Sequence, residues 1–193
     1  MKKVEVMLID AHSGRSAILE QALSDAGYQI TVRTASTDKL LQQVRETGPD
    51  VILIDIDLPD RDTLEQLRDV GQNQPRPIVM FAERSDPETT AAALRAGVSA
   101  YVVDDLNPRR LKPIMDVAIA RFREYQALRR ELEETRSRLA ERKVVEKAKG
   151  LLMAQRNLNE EEAYQTLRKL AMDRNQRIGE VARTVISLLE MLG

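Results

Sequence analysis

Asp55 follows the apolar run Val51–Ile54 in the segment Asp55-Ile-Asp-Leu-Pro59, and Asp10 follows Leu8-Ile9. Carboxylates at the ends of apolar strands are hard oxygen ligands of the kind that holds Mg²⁺. A second group of residues offers different chemistry. Lys147, Lys149, Arg156, Arg168, Lys169, Arg174 and Arg177 cluster near the C-terminal end, around the single aromatic Tyr164. Such clusters make contacts to phosphates. Tyr164 either stacks on a base or packs in a helical core, and each basic residue either meets phosphate or sits on a solvated helix face.

Other chemistries have little to stand on. The absence of cysteine removes disulfides and thiolate metal sites, and one histidine, His12, gives no zinc ligand set. There is no nucleophile–base pair, phosphate loop or metal cluster, so neither an enzyme nor a resident metal or cofactor is expected. The 193 residues are 42 % hydrophobic and 32 % charged, as in an ordinary soluble protein. No apolar run approaches the ~20 residues of a membrane span, and the first residues enter a strand pattern without a signal-peptide core. A cytoplasmic protein is expected. Residues 1–112 carry 14 Lys/Arg against 18 Asp/Glu, whereas residues 140–193 carry 10 against 8. The basic end is the one that hints at nucleic acid.

The elements that position the two aspartates alternate in type. Val4–Ile9, Ile30–Thr34, Val51–Ile54, Ile78–Phe81 and Ala100–Val103 read as strands. Helices are expected over Arg15–Ala26, closed by Gly27, Thr37–Thr47, closed by Gly48-Pro49, Leu64–Gly71, and Pro87–Ala96, closed by Gly97, with a last helix from near Pro108. Val51–Ile54, apolar without interruption, suits a central parallel strand covered on both faces. Five β–α repeats over residues 1–120 imply an α/β domain with a doubly wound parallel sheet.

The basic cluster sits on helices. From Leu111 to Gly150 the only breaker is Pro113, placed in a first turn, and the last helix continues without a stop. Ile114, Ala118, Tyr125, Leu128, Leu132 and Leu139 recur at 4,3 spacing, interrupted by Arg121, Thr135 and Arg142. That seam, with charged flanks, predicts a coiled coil over residues 112–145 that dimerises through Ile114, Tyr125, Leu128, Leu132 and Leu139. A solvated linker helix is the alternative. Residues 141–193 are all helical: Asn159 and Glu162 have capping-box spacing for a helix through Met172, and Ile178–Leu192 is amphipathic. Leu151, Leu152, Leu167, Ala171, Met172, Val181, Val185 and Ile186 are its expected core, and Gly150 and Ala148 are expected to permit close backbone approach.

The first segment resembles the receiver (CheY-like) domain of response regulators. A working receiver has two adjacent acids after its first strand, a phosphoacceptor aspartate after the third, Thr/Ser after the fourth and Lys after the fifth. This chain has Asp10-Ala11, Asp55, Phe81-Ala82 and Asp104-Asp105 at those places. Losing one carboxylate weakens Mg²⁺ binding, Phe81 has no donor for a phosphate, and Asp104 replaces a cation with an anion. The resemblance thus implies a pseudo-receiver with a vestigial site at Asp10 and Asp55. The plain reading of Asp55 is a strand-end carboxylate satisfied by nearby backbone N–H groups or Ser85.

Residues 141–187 resemble the ANTAR family, the AmiR and NasR transcription antitermination regulators. The matching residues are Arg142, Val145-Glu-Lys-Ala148-Lys149-Gly150-Leu-Leu-Met153, Asn159–Tyr164, Leu167-Arg168, Ala171-Met172 and Ile178 through Ile186. The order of a degenerate receiver, a coiled coil and an ANTAR module is similar to regulators of nitrate/nitrite assimilation of the NasT type. That likeness implies a homodimer that binds paired stem-loops in leader mRNA and prevents an intrinsic terminator. It implies RNA contacts from Lys147, Lys149, Arg156, Tyr164, Arg168, Lys169, Arg174 and Arg177, and control by a nitrate sensor of the NasS type. Two rivals stay open. One is a phosphorylated regulator acting on DNA, although Ile178–Leu192 offers only Arg183 to read bases. The other is a scaffold that binds proteins alone.

Overall fold

Alternation with period two decides how the strands are used. In the computed structural model, which describes residues 3–11, 16–103 and 107–192, β1 (Glu5–Asp10), β2 (Gln29–Thr34), β3 (Val51–Ile56), β4 (Ile78–Ala82) and β5 (Ala100–Val103) form one parallel sheet. Their order is β2-β1-β3-β4-β5. Val6, Leu8, Val51, Leu53, Val79 and Phe81 face one side, where Leu19 and Leu23 of α1 (Ser16–Asp25) and Leu111 and Met115 of α5 (Pro108–Arg156) cover them. Met7, Ile9, Ile52, Ile54, Ile78 and Met80 face the other side. They pack under α2 (Leu40–Thr47), α3 (Arg61–Asn73) and α4 (Pro87–Arg95) through Leu40, Val44, Leu67, Val70 and Ala93. Each such aliphatic side chain contributes about 1.5–3 kcal/mol on full burial.

Two helix starts differ from expectation, each for a local reason. α2 begins at Leu40, not Thr37, because Lys39 takes a left-handed φ of 54° that no helix can include. α3 begins at Arg61, not Leu64, because Asp60 caps it, accepting from the Thr63 amide at 2.8 Å. α5 begins at Pro108 as expected, but Pro113 therefore lies inside the helix and not in its first turn. The expected start of α1 at Arg15 lies outside the described residues. Gly48 and Gly97, at φ 59° and 103°, close α2 and the turn after α4 in conformations other residues adopt only at a cost.

Two compact units divide the chain, Met1–Gln126 and Ala127–Gly193, and α5 passes from the first into the second. In the second unit, α6 (Glu160–Asp173) opens with the expected capping box: Glu162 N donates to Asn159 Oδ1 and Asn159 N to a Glu162 carboxylate oxygen, both at 2.9 Å. α7 covers Ile178–Leu192. Val145, Ala148 and Leu152 of α5 meet Ala163, Leu167 and Ala171 of α6 and Val181, Ala182 and Leu189 of α7. Alanines at this contact bring the helix axes close. No described helix is long and apolar enough to cross a membrane.

Candidate functional site

Parallel pairing brings the two predicted aspartates together. Asp10 and Asp55 are register partners across β1 and β3, and Phe81 is the partner of Asp55 on β4. All three are buried. Ser16, at the start of α1, donates its hydroxyl to Asp10 Oδ2, and the Ala11 amide donates to the Asp55 carbonyl at 3.1 Å. Sequence reasoning missed Ser16, because nothing in a lone serine after a loop marks its partner. Ser85 does not hold Asp55: its hydroxyl bonds Thr90 Oγ1 at 2.8 Å and the Asp86 carbonyl at 3.2 Å. His12, Asp104 and Asp105 lie outside the described residues. Among the described residues no group of three or more His, Asp or Glu side chains is arranged for a metal ion.

Along α5 the heptad seam divides in two. Ala118 is fully buried and Ile114 half-buried against the sheet, so Ile114 serves the first core where a dimer contact was expected. Tyr125, Leu128, Leu132 and Leu139 are exposed. Tyr28 ties the N-terminal part of α5 down. Its hydroxyl donates to Asp116 Oδ1 at 2.8 Å, and Lys112 Nζ donates to Asp116 Oδ2 at 2.9 Å while lying 5.8 Å from the Tyr28 ring. Burial, then the Asp116 carboxylate, pushes the Tyr28 phenol well up from its ordinary value, and Lys112 and Tyr28 hold Asp116 down.

In the C-terminal unit the basic residues separate into two kinds. Lys147 donates to Glu190 at 2.6 Å. Lys149 is buried and lies 2.9 Å from Glu146 and 2.8 Å from Glu160, the first residue of α6. Hydrogen bonding to Glu160, then to Glu146, raises the Lys149 pKa, and the same bond lowers that of Glu160. Lys149, expected at the RNA surface, therefore stands in this structure as the tie that fastens α6 to α5. Arg156, Arg168, Lys169, Arg174 and Arg177 are exposed, and none of their side chains meets a carboxylate. Tyr164 is exposed as well, which excludes the core placement.

Two more expectations about this unit fail. Met172 is 71 % exposed and not part of the core, because the buried stripe is Ala163, Leu167 and Ala171 and Met172 falls one residue past it. A Cβ at Gly150 would meet nothing within 4 Å among the described residues, so no close packing there calls for a glycine. The close approach is at Gly179, where a Cβ would stand 2.7 Å from Glu141 Cγ. The signal that would have found it is a glycine in the first turn of an amphipathic helix.

Comparison with known proteins fits this division. The response regulator receiver domain family matches residues 6–116, and the ANTAR domain family matches residues 133–186. The transcriptional regulatory protein PdtaR of Mycobacterium tuberculosis is 30 % identical over 171 residues, covering 89 % of this chain and 83 % of that protein. The nitrate regulatory protein of Klebsiella oxytoca is 39 % identical over 85 residues, 44 % of this chain and 22 % of that protein. A CheY-like receiver domain protein from Methanospirillum hungatei JF-1 shares the fold with a TM-score of 0.56 at 22 % identity, covering 64 % of this chain and 99 % of that one. A LuxR-family two-component response regulator from Aurantimonas sp. SI85-9A1 does so with a TM-score of 0.55 at 24 % identity, covering 62 % and 86 %. Matched over more than half its length by the receiver family and aligned with PdtaR along most of both chains, the chain belongs to the response regulators that join a receiver domain to an ANTAR domain.

Proposed function

We propose that this regulator is a dimeric RNA-binding transcription antiterminator whose receiver no longer runs on phosphate. It recognises paired stem-loops in a leader mRNA and keeps an intrinsic terminator from forming. In this reading residues 1–120 are the pseudo-receiver, residues 112–145 the dimerising helix and residues 141–193 the RNA-binding module. The observation that carries the proposal is the set of exposed, unpaired basic side chains at 156, 168, 169, 174 and 177 around exposed Tyr164. Free cations beside an aromatic ring suit single-stranded RNA, where phosphates supply affinity and unstacked bases supply specificity.

The strand-end site does not fit a Mg²⁺-assisted phosphoacceptor. Ala11 stands where a second strand-end acid would bind the ion, Asp10 already accepts from Ser16, and Phe81 beside Asp55 has no hydroxyl to offer a phosphoryl oxygen. The input is then a protein partner, and the similarity to the nitrate regulatory protein supports a nitrate-responsive sensor of the NasS type and nitrate/nitrite assimilation genes as targets. This reading places the protein in the cytoplasm. In vitro transcription through a leader with two stem-loops ahead of a terminator tests it: read-through should rise with added protein. Equal read-through on a leader with its loops deleted would defeat the proposal.

A further inference from the structure

The two lysines that α5 contributes beside α6 are both paired, whereas the basic side chains of α6 are free. On α5, Lys147 is paired with Glu190 and Lys149 with Glu146 and Glu160. On α6, Arg168 and Lys169 meet no carboxylate, and neither do Arg174 and Arg177 just beyond it. The buried stripe of α6 is Ala163, Leu167 and Ala171. One residue after each come Tyr164, Arg168 and Met172, rotated about 100° from the core and about 6 Å apart along the axis. Tyr164 is 39 % and Met172 71 % exposed. A single exposed methionine means little. Aligned with a phenol ring and an unpaired guanidinium, it completes a strip of polarizable surface.

Resting on the RNA-binding reading, we propose that Tyr164, Arg168 and Met172 form the base-reading strip of the module, taking unpaired nucleobases of an RNA loop while Lys169, Arg174 and Arg177 hold phosphates. A ring and a guanidinium plane both stack on bases, and a flexible thioether moulds to whatever lies beside them. Spacing decides the form of the ligand. Side chains about 6 Å apart do not match bases stacked at about 3.4 Å, so the strip suits bases pulled apart in a loop and not a continuous stack. Double-stranded RNA hides its base faces altogether. A second copy of the module is a poor occupant, because Arg168 and Lys169 of two copies would confront one another. Met172 thereby becomes a specificity residue, and the α5 lysines leave the interface.

The test is selection from two-hairpin RNAs with fixed stems and randomised loops, using the full chain, Tyr164→Ala, Tyr164→Phe and Met172→Ser. Helix content by circular dichroism checks that each variant folds. The wild-type chain should enrich defined loop sequences. Tyr164→Ala should lose roughly fivefold to a hundredfold in affinity for the enriched RNA, the range for one stacked base. Tyr164→Phe should retain binding, and Met172→Ser should relax the loop preference. Unchanged enrichment by folded Tyr164→Ala and Met172→Ser overturns the strip and leaves RNA binding standing. Failure of the wild-type chain to retain any RNA overturns both.

Discussion

Replacing Leu128 and Leu132 together by alanine is predicted to dissolve the dimer without unfolding the chain. The two side chains are 59 % and 50 % exposed. Full burial of a leucine contributes about 1.5–3 kcal/mol, so covering the exposed half in a coiled coil contributes about 0.8–1.5 kcal/mol each. Four such side chains change in the double variant, two per protomer, for a loss of about 3–6 kcal/mol. That weakens association roughly 10²- to 10⁴-fold. The monomer should hardly notice, since exposed substitutions usually fall within about 0.5 kcal/mol. Nothing else along this stretch replaces the partner. Residues 127–140 are all exposed, and the pairs Arg129–Glu133 and Arg138–Glu134 add a few tenths of a kcal/mol each. Sedimentation equilibrium over a concentration series measures the outcome. A wild-type chain that stays monomeric, or a double variant with an unchanged dissociation constant, would refute the seam.

Five further outcomes follow from the structure. Gly150→Ala should stabilise the C-terminal unit by about 0.5–1 kcal/mol, because the added methyl meets open space in a helix interior, while Gly179→Ala should destabilise it by driving Cβ into Glu141; thermal unfolding reads both. Leu167→Ala, at a fully buried position, should cost about 2–5 kcal/mol in denaturant unfolding. The Glu160 carboxylate is held below its ordinary value of 4.5, so its contribution is complete above that pH and is lost as pH falls through the lowered value. Glu160→Gln should therefore flatten the acid limb of stability, as an unfolding series against pH would show. Incubation with a small phosphodonor and Mg²⁺ should leave the intact mass unchanged, whereas one added phosphoryl group would restore a phosphate-driven receiver.

Much of the fold could be read from the chain because apolar runs and period-two burial coincide. Val51–Ile54 is buried on both faces of β3 as its unbroken apolarity requires, and the Asn159/Glu162 box opens α6 as its spacing predicts. Boundaries failed where one residue's backbone or side chain decided them, as at Lys39 and Asp60. The candidate site was less legible, for a physical reason. Sequence gives the sign of a charge and not its partner, so Lys149, fixed between two glutamates, looked the same as free Arg168. Met172 was misplaced because an apolar residue next to a buried stripe satisfies a helical pattern almost as well as one within it.

The central claim is that the free cations around α6 meet the phosphates of a looped RNA. Its most direct test is the equilibrium binding of a two-hairpin leader RNA across a salt series, beside an unrelated RNA of equal length. Each phosphate contact lowers the logarithm of the binding constant by about 0.7 per logarithm of salt on single strands. With Arg168 given to a base, the free residues Arg156, Lys169, Arg174 and Arg177 set a slope of roughly −3 for each module engaged. The account predicts that slope together with clear preference for the hairpin leader. Equal affinity for both RNAs, or binding indifferent to salt, would contradict it.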